Sequence, residues 1–151
     1  MIRQLDEGFA VSPQINAADV TELARAGFAA IINNRPDDED AGQPQGDAIG
    51  LVAKTLGLGY TAIPVTHSGF SHPQLDAMAA ALASAGGPVL AYCRSGTRSC
   101  NLWALAMAKQ GASPDMLCAK AAAAGYDLSG IRAMLDALAG AVDTKAGAPH
   151  A

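Results

Sequence analysis

Aromatic residues make up only 5% of the chain and charged ones 16%, and there are just three cysteines. Three thiols cannot all pair with one another. None stands in a Cys-x-x-Cys or mixed Cys/His spacing, so neither a disulfide framework nor a zinc site is expected to organise the fold. Basic blocks are missing as well: the ten Lys and Arg are scattered, and the formal net charge is -4. This balance argues against binding to nucleic acid or to an anionic membrane surface. "MIRQLDEGFAV" is not a basic segment followed by an apolar run, so no signal peptide is expected. The longest apolar stretch, "AMAAALASAGGPVLAYC", is broken by Ser84, Gly86, Gly87 and Pro88, which argues against a membrane span. A reducing cytoplasm is the expected location.

Half the residues are apolar, and 151 residues suffice for one domain with a real core. The core should therefore be built from Ala, Leu, Val and Ile. "IRQLDEGFAVS" reads as an opening strand pair. A helix follows, with Asn16 as N-cap, Val20, Leu23 and Ala24 at helical spacing, and Gly27 as its stop. "FAAIINN" suits a buried strand and "RPDDEDAGQPQGD" a surface loop. "AIGLVAKTLGLG" predicts a helix, "YTAIPV" another buried strand, and "SHPQLDAMAAALASAGG" a helix capped by Ser71 with Pro73 in its first turn. "PVLAY" is the strand that delivers Cys93. Helices are expected over 97–110, 113–124 and 128–139, with a frayed tail over about 140–151. Strands alternating with helices predict a single three-layer α/β/α domain with a mainly parallel sheet. Ligands in such sheets sit at the C-terminal strand ends, where Cys93 falls.

A lone cysteine is ordinarily a small buried hydrophobe. The neighbours of Cys93 in "PVLAYCRSGTRSCNLWALAMAK" point elsewhere. Arg94 and Arg98 bring positive charge that favours a thiolate. Gly96 lets the chain turn sharply, so the amides of Arg94, Ser95, Gly96, Thr97 and Ser99 can form an anion nest. The helix starting near Thr97 aims its positive end at the same place. "CNLWALAMA" is apolar on nearly every face, so that helix belongs in the domain centre. Cys93 is the expected nucleophile.

"CRSGTRS" after an apolar strand resembles the cysteine-loop-arginine signature of tyrosine and dual-specificity phosphatases, and also the active loop of rhodaneses. The wider pattern is closer. "GFAVSPQINAADVTELARAGFAAIINNRPDDE", "YTAIPV" and "PVLAYCRSGTRSCNLWAL" together resemble the bacterial beta-lactamase-hydrolase-like family, over about 9–109. The resemblance implies a phosphatase-like fold, a Cys93 nucleophile and an Arg98 clamp. It also implies a link to persulfide dioxygenases and to sulfur transfer.

Three features separate sulfur from phosphorus in that pattern. Tyrosine phosphatases place five residues between cysteine and arginine, whereas here there are four, Arg94 to Thr97. Phosphatases usually carry a histidine before the cysteine, and this chain has Tyr92. They also present an aspartate as general acid from the loop after an upstream strand. The matching loop, "PVTHSGFSHPQ", has no carboxylate before Asp76.

All three lead to the expectation of a sulfurtransferase that needs no cofactor or metal. Cys93 would take a sulfane sulfur from thiosulfate or glutathione persulfide and pass it to a thiol acceptor. The alternatives are a phosphatase with a phosphocysteine intermediate and a non-catalytic anion-binding module that partners an oxidising enzyme.

Other residues carry weaker signals. Cys100 and Cys118 are expected as packing. His67 and His72 lie in the loop where the acid would be and could face the site, but a solvated loop is the preferred expectation. Arg35, Asp37, Asp38 and Glu39 follow a strand end and could rim the pocket, but a solvated loop is the preferred expectation. Ser99 can hydrogen-bond the Cys93 thiolate from the helix start; otherwise it is simply an early-helix serine.

Overall fold

The computed structural model describes residues 1–146. Its five strands are β1 (Arg3–Asp6), β2 (Phe9–Ser12), β3 (Ala30–Asn33), β4 (Gly59–Ala62) and β5 (Val89–Tyr92). They form one sheet in the order β1-β2-β5-β3-β4. Only the β1–β2 hairpin is antiparallel. The parallel ladders align Ser12, Tyr92, Asn33 and Ala62 in a row at the C-terminal edge. Residue 93 therefore leaves the central strand β5 at the middle of that edge.

Alternation along β5 divides the core, as a period of two requires. Leu90 and Tyr92 face a cluster with Ala10, Val20, Leu23, Ile31 and Ile49 beneath α1 (Ala17–Arg25) and α2 (Gly46–Thr55). Val89 and Ala91 face the larger cluster under α3 (His72–Ser84) and α4 (Thr97–Lys109), which also takes in side chains of α5 (Pro114–Ala123) and α6 (Arg132–Ala146). Asn16 and Ser71 each close a capping box at the start of α1 and α3.

The apolar helix expected in the domain centre is α4. Eight of its residues are buried, and Trp103 stacks on Phe9 with ring centroids 5.7 Å apart. Removing a buried ring of this kind costs about 3–5 kcal/mol. Such a helix cannot shift without repacking the domain, so its N-terminus is a rigid platform.

Two expectations are corrected. "YTAIPV" is not a buried strand: β4 is the edge strand and three of its four residues are exposed, the buried apolar residues being Ile63 and Val65 just past its end. The tail is helical through Ala146, because α6 runs on past residue 139. The remainder of the expected frayed segment, 147–151, lies outside the described residues. Among the described residues no helix is long and apolar enough to cross a membrane.

Candidate active site

Cys93 follows β5 directly and is fully buried. Gly96, at φ +92, is the N-cap of α4. That left-handed backbone strongly favours glycine. It turns the Gly96 N–H back onto Cys93 Sγ, at 3.0 Å. Ser95 and Thr97 bond each other: the Ser95 hydroxyl donates to Thr97 Oγ1 at 3.0 Å, and the Thr97 N–H donates to Ser95 Oγ at 3.4 Å. Of the amides expected to form the nest, Gly96 thus serves the sulfur while Thr97 is occupied locally.

Ser99 departs from its expected role. It is fully buried, but its hydroxyl finds no hydrogen-bond partner, so no bond to Cys93 forms. Tyr92, where phosphatases usually carry a histidine, packs into the core under α1 and α2. Burial holds its hydroxyl far above the ordinary tyrosine range.

Arg98 projects from the first turn of α4 and is fixed by three bonds. Nη1 and Nη2 each donate to one Glu39 carboxylate oxygen at 2.8 Å, and Nη1 also donates to the Val65 carbonyl at 2.8 Å. Glu39 in turn accepts from Arg35 Nε at 2.9 Å. Arg35 also reaches Asp40 at 2.8 Å and Gln14 at 3.1 Å. Bidentate pairs of this kind fix both position and orientation of the guanidinium. The Arg98 pair, supported by Arg35, pulls the Glu39 carboxyl down from about 4.5 to about 2 despite opposition from burial. Glu39 stays ionised at every physiological pH, and the same pair raises Arg98 above its ordinary value, with a smaller contribution from Cys93.

The expectation of a solvated 35–39 loop is therefore corrected for Arg35, and Glu39 rims the pocket, whereas Asp37 and Asp38 are exposed as expected. Arg35 is only 5% exposed. Asp37 is also engaged, accepting the Gly46 N–H at 2.8 Å at the start of α2. Asp38, at φ +65, accepts from Gln45 and stays at the surface. The signal for Glu39 was present in "NNRPDDED": acids directly after a parallel strand arrive at the C-terminal edge, where the sheet gathers its ligands.

A cleft of about 690 Å³ opens over this network, with Glu39, Thr66, His67, Phe70, Arg94, Arg98 and Asn101 in its walls. Arg94 is at the rim, its side chain mostly exposed and 3.5 Å from Asp40. His67 thus faces the cleft, while His72 is an exposed first residue of α3. Cys100 is core, as expected: burial pushes its thiol up to about 12. Cys118 is half-buried against the same core. Sequence reasoning missed Asp40 and, above all, Tyr126, whose hydroxyl donates to the Ser95 carbonyl at 3.1 Å.

A parallel sheet that delivers a buried cysteine into a short loop, with an arginine from the following helix held beside it, defines a phosphatase-like α/β domain. Residues 1–111 match the family model for the beta-lactamase hydrolase-like protein, phosphatase-like domain, and the chain belongs to that family. It is 38% identical over 104 residues to a beta-lactamase hydrolase-like protein of Xylella fastidiosa, an alignment covering 69% of this chain. The chain spans only about a quarter of that relative's length, 24%. A candidate phosphatase from Neisseria meningitidis is similar throughout, with 36% identity, a TM-score of 0.79 and coverage of 91% of this chain and 97% of that one. The active form of Tk-PTP shares the fold at a TM-score of 0.71 and 20% identity, with 92% and 96% covered. The fold is thus that of the protein tyrosine phosphatases.

Proposed function

We propose that the chain is a cysteine-dependent phosphatase working through a phosphocysteine on Cys93. One observation carries this: the Gly96 N–H meets the Cys93 sulfur at the N-terminus of a buried helix, and Arg98, clamped by Glu39 and Val65, leaves the first turn of that same helix. Guanidinium, amide and helix end together suit a tetrahedral dianion. The family and fold support the same chemistry.

In the first step the Cys93 thiolate attacks phosphorus as the ester P–O bond breaks. The leaving oxygen departs with the electron pair and takes a proton from water. Water then attacks the phosphocysteine, the S–P bond breaks, and inorganic phosphate and the thiolate are released. Arg94, Ser95 and Gly96 form the loop, and Thr97 and Ser99 the first turn of α4, against which the anion would bind. The loop over 66–71 contains no carboxylate, Glu39 is held ionised, and Asp40 is paired with Arg35. Substrates whose leaving group needs little protonation, aryl and acyl phosphates, are therefore the class it serves.

Sulfur transfer is the second reading. The four-residue loop, closed over itself by the Ser95–Thr97 bond, and the lack of a carboxylate in the 66–71 loop both favour it. Cys93 would attack the outer sulfur of thiosulfate or glutathione persulfide, the S–S bond would break, and sulfite or a thiolate would leave without needing an acid. A thiol acceptor would then collect the sulfur, and a persulfide dioxygenase is the partner this reading implies.

Turnover of an aryl phosphate, an alkyl phosphate and thiosulfate-to-thiol transfer, measured side by side with Cys93→Ser as control, tests the proposal. Cys93-dependent aryl phosphate hydrolysis well above the other two supports it. Transfer from thiosulfate without phosphate release overturns it.

A further inference from the structure

The Ser95–Gly96 peptide is held on both sides. Its carbonyl accepts the Tyr126 hydroxyl at 3.1 Å, and its N–H donates to Cys93 Sγ at 3.0 Å. In a planar trans peptide the C=O and N–H point in opposite directions, so fixing the oxygen fixes the amide. Gly96 needs that second hold, because a glycine backbone passes easily between orientations.

Tyr126 is itself firmly placed. Its N–H donates to the Ala121 carbonyl at 2.9 Å in the turn that ends α5. Arg3, from the edge strand β1, donates to the Ala124 carbonyl at 2.7 Å and lies 5.7 Å from the Tyr126 ring centroid. A Cβ at Gly96 would collide with the Tyr126 hydroxyl oxygen. Burial raises the Tyr126 hydroxyl above the ordinary tyrosine value, so it remains a donor at neutral pH.

We propose that Tyr126 is a positioning residue that locks the Ser95–Gly96 peptide with its N–H on the Cys93 sulfur, thereby keeping the anion site formed. The inference rests on the Cys93 loop being the working site. Tyr126 lies beyond the residues 1–111 that match the family model, so the C-terminal helical segment becomes part of the site's construction.

Tyr126→Phe tests it, since it removes the hydroxyl and keeps the ring. The Gly96 amide resonance in a ¹⁵N–¹H spectrum should shift, and its hydrogen exchange should quicken about tenfold. Tungstate affinity should fall about five- to tenfold, the usual worth of one hydrogen bond. The Tm should drop by no more than about 4 °C. An unchanged Gly96 resonance and exchange rate would overturn the latch. Wild-type protein that binds no tungstate would sink the functional reading instead, while the Gly96 amide would still decide the latch.

Discussion

Glu39→Gln gives the sharpest account of how the arginine cradle is held. The substitution keeps the shape of the side chain but removes the charge that bonds Arg98 twice and Arg35 once. A carboxyl moved from about 4.5 to about 2 represents roughly 3 kcal/mol of preference for the ionised form in the fold. The Glu39 side chain is a quarter exposed, so solvent screening reduces this to about 2 kcal/mol at most. For a domain of this size that corresponds to a Tm lowered by about 4–8 °C at pH 7.

The pH dependence gives the mechanism its signature. A depressed carboxyl pKa stabilises the fold fully above the unfolded value and loses that contribution as pH falls through the folded one. The gap between wild type and Glu39→Gln should therefore be constant above about pH 5 and should close between about pH 4.5 and pH 2. Denaturant melts followed by circular dichroism across that range measure it. A gap that stays constant down to pH 2, or no gap at pH 7, would refute the reasoning.

Two further substitutions probe the loop. Arg98→Lys should weaken phosphate or tungstate binding more than tenfold by calorimetry, because an ammonium cannot make the paired bonds to Glu39 while facing an anion. Near wild-type affinity would make Arg98 a structural residue. Gly96→Ala should cost about 1–3 kcal/mol from its φ of +92 alone, and more from the collision with Tyr126, read as a lowered denaturation midpoint with impaired anion binding. A fully stable variant would show that the loop adapts.

Much of this arrangement was legible in the sequence. The position of Cys93 followed from an apolar strand meeting a glycine turn and an apolar helix, all local features with strong physical signatures. Strand burial was harder. β4 carries the same apolar pattern as an inner strand, but its edge position depends on the order in which strands pair, which no local pattern encodes. Glu39 was visible as an acid after a strand end, yet composition alone makes "RPDDED" a solvated loop. Only the distant Arg98 turns it inward. Tyr126 gave no signal, because its partner Ser95 is 31 residues away and is reached through the packing of α5 and β1. Sulfur was preferred over phosphorus from loop length, Tyr92 in place of a histidine, and a missing carboxylate. Family and fold favour phosphorus, while those three features stand unchanged in the structure.

The covalent state of Cys93 during turnover tests the central claim most directly. Protein mixed rapidly with an aryl phosphate, quenched in acid and weighed intact should carry one phosphoryl group. Peptide mapping should place it on Cys93, and Cys93→Ser should carry none. If no phosphoryl adduct appears on any timescale, while thiosulfate adds a single sulfur atom to Cys93, the phosphatase account is contradicted and the site is a sulfur carrier.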